Sequence, residues 1–144
     1  MDTSTLTFDA VASAPGLTLT VTFDQETVFD GPVDGNVVHV KHQFNDDSDL
    51  DHLLEITMQG KTARDTQVDE HGNIVSDVTL TVSNIALDDI VLSSSLLANC
   101  NYHHNFNGSQ PDIIDEFHGI MGCNGTVKIP FKSPIYIWLL ENMA

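Results

Sequence analysis

Positive charge is what this sequence has least of. Five Lys and Arg stand against 21 Asp and Glu in 144 residues, a formal net charge of −16. Holding a phosphate backbone takes clustered Lys and Arg. Five such residues scattered along the chain exclude nucleic acid and disfavour an anionic membrane surface. Long apolar runs are missing too. The longest, Ile135 to Leu140, has six residues, against about 20 for a helix that spans a bilayer. Met1 to Thr5 carry neither the basic region nor the apolar stretch of a signal peptide. With only two cysteines and no such leader, reduced thiols are expected. Catalytic signatures are equally scarce. Ser93-Ser94-Ser95 lacks the glycine elbow of a serine hydrolase. There is no phosphate-binding glycine loop or zinc-protease helix motif, and no spacing of acids points to a glycosidase pair. No enzyme is expected.

What is present is a foldable chain. Its hydrophobic fraction of 41% and charged fraction of 18% rule out a disordered acidic tail. Its length fits one domain over residues 1–144. Apolar and polar residues alternate in short windows: Leu17 to Phe23, Val38 to Phe44, Leu54 to Met58, Val78 to Val82 and Val127 to Phe131. A period of two rich in Val, Ile and Thr predicts half-buried antiparallel strands. Ile85 to Leu92 and Ile135 to Leu139 read as further strands with both faces partly covered. Asp30-Gly31-Pro32, Asp34-Gly35-Asn36, His71-Gly72-Asn73, Asn107-Gly108 and Asn124-Gly125 are turn signals. The last of these predicts a tight hairpin. One helix is expected, from Pro111 to Phe117, capped by Ser109. Together these give an all-β chain, an antiparallel β-sandwich or jelly roll with one or two short helical turns.

From Asp24 to Asp89 there are 15 acids and three bases, a net of −12, mostly in turns. That is either a solvated shell that discourages edge-to-edge pairing or cation binding at one or two loops. Asp47, Asp49 and Asp51 are the candidate metal ligands, with Asn45 and Asp46 before them. Alternate residues of an extended strand are about 6.6 Å apart, so the run can share an ion only if it turns. An EF-hand is excluded, because its sixth and twelfth positions fall on His52 and Met58. Cys100, His103, His104, His118 and Cys123 nearly make a four-ligand zinc set, but in the wrong order. A Cys100–Cys123 disulfide or two unlinked thiols are the other readings. Tyr136 and Trp138, on one face of a strand, fit either a sugar platform or a core or subunit interface.

The order Pro15 to Asp24, Thr27 to Gly31, Val37 to Phe44, His52 to Gly60 and Leu80 to Leu92 resembles the Ca²⁺-dependent carbohydrate-binding modules attached to xylanases. The resemblance implies a β-sandwich, glycan binding and a calcium ion. It also implies calcium ligands directly after the His-containing strand, with a further Asp before the next one. Here that segment begins Gly60-Lys61-Thr62, and Lys61 opposes a cation; Asp65, Asp69 and Asp77 are the available replacements. The C-terminal third, with Phe117 to Thr126 and Pro134 to Met143, is similar to short uncharacterised proteins of marine tailed phages. That likeness implies a virion or fibre component; the acidic composition and missing leader fit a protein made in a host cytosol and found outside the cell after lysis. The expected function is a non-catalytic structural or adhesive module of a larger assembly, partnered by copies of itself or other virion proteins. The alternative is a free Ca²⁺-dependent glycan-binding protein.

Overall fold

The computed structural model describes residues 2–62, 65–105, 108 and 110–143. Two antiparallel sheets face each other. The first joins β12 (Ile120–Met121), β8 (Leu80–Leu87), β1 (Thr3–Ala12) and β4 (Val38–Asn45) in that order, with β9 (Ile90–Val91) also on β8. The second runs β11 (Ile113–Glu116), β10 (Asn101–His104), β13 (Gly125–Lys132), β5 (Asp51–Gln59), β2 (Leu17–Phe23), β3 (Glu26–Val33). A small hairpin, β6 (Gln67–Val68) with β7 (Ile74–Ser76), stands apart. The sandwich expected from the alternating windows is therefore the architecture.

The period-two pattern explains the core. In β2 and β5 every second residue is buried: Leu17, Leu19, Val21 and Phe23, then His52, Leu54, Ile56 and Met58. From the facing sheet come Leu6 and Phe8 of β1 and Leu80 of β8, all essentially without solvent contact. Each large side chain so buried contributes about 1.5–3 kcal/mol before entropy is charged against it. The other face of the second sheet stays polar. Thr20, Thr57 and Thr126 stand opposite one another across β2, β5 and β13, and the Thr57 and Thr126 hydroxyls meet at 2.9 Å.

Several local expectations fail, each for a physical reason. Ile135 to Leu139 is not a strand but the start of α2 (Ile135–Met143). A run apolar at every position carries no readable period. Its buried residues, Ile135 and Leu139, lie four apart, as one helix face requires. Tyr136 and Trp138 consequently do not share a face. Tyr136 is 63% exposed, while Trp138 is half-buried against the core. Pro111 to Phe117 is not a helix: Ile113 to Glu116 pair with the edge of β10. Its expected cap, Ser109, and Asn107 lie outside the described residues. Asp30-Gly31-Pro32 is no turn but part of β3, an outer strand where proline removes no needed ladder bond. Asn124-Gly125 makes no hairpin, because β12 and β13 belong to different sheets.

The true two-residue hairpins sit where no glycine announces them. Asp24-Gln25 joins β2 to β3, and Asp88-Asp89 joins β8 to β9; all four residues have positive φ, between 49° and 71°. The second breaks the strand expected from Ile85 to Leu92. The Ser93 hydroxyl accepts the Leu96 amide hydrogen at 3.2 Å and caps α1 (Ser94–Ala98). The serine triplet thus has a structural role.

Candidate functional site

One end of the second sheet is covered by α1 and α2, and between them and the strands lies a cleft of ≈ 430 Å³. The start of β5 supplies Asp51 and His52, the end of β13 supplies Lys132, and the helices supply Asn99, Trp138 and Asn142. Trp138 is fixed on two sides. Its amide donates to the Pro134 carbonyl at 3.3 Å, and its ring lies 5.9 Å from that of Phe131. The Asn142 and Asn99 side-chain amides donate to the carbonyls of Trp138 and Ser95, at 2.8 and 3.2 Å. Each keeps its own carbonyl oxygen as an acceptor. Lys132 Nζ and Asp51 Oδ1 are 3.7 Å apart and both groups are well exposed. The cleft thus offers one aromatic wall and a rim of acceptors and charged groups, the composition of a small-ligand site.

Behind the cleft His52 holds a Ser-His-Asp line. Its Nδ1 is 2.7 Å from Asp24 Oδ2 and its Nε2 is 2.8 Å from Ser133 Oγ. The ring is buried among Phe23, Phe44 and Phe131, with centroids 5.1–5.4 Å away. These distances match a hydrolase triad, but the surroundings do not. Stabilising a developing oxyanion needs free N–H donors beside the nucleophile. The Ser133 amide donates to the Leu50 carbonyl, Pro134 has no N–H, and the Ile135 amide donates to Asp46 Oδ1. The line is a pin tying the β2–β3 turn, β5 and the end of β13 together. His52 sits at an inward position of an alternating strand and so had a sequence signal; Asn99 and Asn142 had none.

The three candidate metal ligands are not brought together. Asp47 Oδ1 accepts the Asp2 amide at 3.2 Å, Asp51 faces Lys132, and Asp49 has a φ of 66° and donates its amide to the Ser133 carbonyl. Among the described residues no group of three or more His, Cys, Asp and Glu is placed to hold a metal. The near-zinc set is likewise dispersed. His104 Nε2 lies 2.6 Å from Asp115 Oδ2, His118 faces Glu116, and Cys100 and Cys123 are both free thiols. Burial pushes the Cys100 thiol up to about 11 and also raises Cys123, which keeps both poor nucleophiles.

A second polar cluster lies where β5 runs into the following loop. The Lys61 side chain is 2% exposed, with Nζ 2.6 Å from Asp77 Oδ1 and 2.5 Å from the Gly122 carbonyl. Asp77 Oδ1 also accepts from the Thr66 hydroxyl and the Val78 amide. Burial alone would raise the Asp77 carboxyl. Hydrogen bonds from Lys61 and Thr66, and the ammonium charge, hold it below its ordinary value. The Asn124 side chain bonds both the N–H and the C=O of Lys61, each at 2.9 Å. The Tyr102 phenol bonds the N–H and C=O of Cys123, and burial pushes that phenol up to about 12.

No family model and no curated protein matches the chain. Two solved structures are similar over most of its length. One is the selenomethionine form of vCBM60, described with a circular permutation linking two families of calcium-dependent carbohydrate-binding modules. It has a TM-score of 0.54 and 9% identity, covering 87% of this chain and 88% of that one. The other is vCBM60 in complex with galactobiose, with a TM-score of 0.49 and 10% identity, covering 86% and 95%. At such identity the first likeness speaks to fold alone: the chain has the β-sandwich of a carbohydrate-binding module, across both sheets and not only over residues 15–92.

Proposed function

We propose that this chain is a non-catalytic glycan-binding module and that the cleft beside α2 is its sugar site. The observation that carries the reading is Trp138. The chain's one tryptophan walls the cleft between the helices and the second sheet, on a fold shared with a carbohydrate-binding module. An indole face suits the apolar C–H side of a pyranose, and the acceptors of Asn99, Asn142 and Asp51 suit its hydroxyls. A glycan array probed with the wild-type chain and Trp138→Ala tests it. Loss of the stacking wall is expected to weaken binding about tenfold, or roughly 1.4 kcal/mol, with the circular dichroism spectrum unchanged. A wild-type chain that binds no glycan, or a variant that binds as well, removes the proposal.

An adhesive or assembly role is favoured by a separate observation. The outer side of α2 leaves Tyr136 and Leu140 63% and 68% exposed, next to Ile90 at 46%. An apolar patch on so acidic a chain suits contact with a second copy through the same uncharged face. Sedimentation is expected to show a dimer that Tyr136→Ser with Leu140→Ser dissociates; a wild-type monomer at high concentration contradicts it.

A further inference from the structure

The fold neighbours are calcium-dependent modules, and the oxygens around Lys61 are of the kind that hold calcium: a carboxylate of Asp77 and a backbone carbonyl of Gly122. The donor set nevertheless does not fit the metal. An ammonium already lies 2.6 and 2.5 Å from those two oxygens. A divalent ion seated there would meet a buried positive charge at contact distance.

We infer that the Lys61 ammonium is the resident cation of this fold, a covalently attached group occupying a loop junction that would otherwise call for a metal ion. Three segments distant in sequence converge on it. The loop after β5 brings Lys61, the segment before β8 brings Asp77, and the crossing from β12 to β13 brings Gly122. A divalent ion joins such loops by collecting oxygens around one charge. A lysine does so with three directed N–H donors and one charge. Burial of that amine also places one of the chain's few positive side chains inside a molecule of net charge −16. The backbone clamp from Asn124 fixes where the side chain starts. Two consequences follow. The folded chain needs no calcium at this junction, and neutralising the lysine opens a vacancy lined by oxygens.

Thermal melts of the full chain test this, comparing calcium chloride with magnesium chloride at the same millimolar concentration and ionic strength. The wild-type chain is expected to melt at the same temperature in both. Lys61→Ala is expected to melt lower in magnesium and to regain several degrees in calcium. If it does not fold in magnesium, recovery of its strand circular dichroism on adding calcium is the readout. Lys61→Gln, a milder neutral change, is measured alongside. A calcium shift in the wild type as large as in the variants overturns the inference. So does destabilisation of both variants with no preference for calcium, which would leave an ordinary ion pair.

Discussion

Gly125→Ala is expected to destabilise the chain by about 3 kcal/mol, because it forces atoms into a space the fold has closed. A Cβ on Gly125 would lie 2.2 Å from the His103 carbonyl oxygen, 2.9 Å from His104 Cβ and 3.0 Å from Tyr102 Cε1. The first contact is with backbone in a paired strand and cannot rotate away. Gly125 stands opposite His104 on one side and Met58 on the other, so any shift disturbs both ladders. Tyr102 also anchors the crossing at Cys123. The melting temperature should fall by about 10 °C. Gly35→Ala, where nothing lies within 4 Å, should change it little. Equal melting of the two variants would contradict the close approach of β10 to β13.

Asp77→Ala is expected to be comparably damaging. It leaves the Lys61 ammonium, 2% exposed, without its charge partner, and removal of one member of a buried pair costs about 3–5 kcal/mol. The carboxylate side is 29% exposed, so the lower end applies. The pH dependence has a definite sign. The folded-state pKa of Asp77 lies below its ordinary value. Its contribution is therefore fully present above the unfolded pKa of about 4 and is lost as pH falls through the folded value. Wild-type stability should drop on acidification below about pH 4. Asp77→Asn should show a shallower drop, the remainder coming from Asp9 and Asp69, whose carboxyls are also lowered by hydrogen bonds. An identical acid profile for wild type and Asp77→Asn would sink the assignment.

These two sites mark where sequence reading stops. Alternation over Leu17 to Phe23 and Leu54 to Met58 is visible because one face must be apolar and the other wet. Those windows place β2 and β5 correctly. β1, an inner strand of its sheet, is harder to read because Ser4, Ala10 and Ala12 are weak inward residues. Gly125 looked like a turn residue; it is glycine for want of room beside β10. Trp138 stands out as one of an alternating aromatic pair with Tyr136, yet its place in a cleft depends on α2 being a helix, which a uniformly apolar run does not disclose. The Lys61 nest joins residues 61, 77 and 122; the resemblance puts Lys61 and Asp77 in one segment, but nothing local signals Gly122 or the ion pair itself. The Ser133–His52–Asp24 line is likewise a product of strand pairing.

In the proposed function, sugar is held against Trp138. Because that residue is the only tryptophan, the indole emission of the unmodified chain, excited beyond the tyrosine band, reports on the cleft. The direct measurement is a fluorescence titration with neutral xylo-, gluco- and galacto-oligosaccharides, run beside calorimetry on the same samples. A saturable change in Trp138 emission, with the midpoint that calorimetry gives, is the result predicted. Calorimetric binding without any change in emission, or no binding of any oligosaccharide at millimolar concentration, would contradict it.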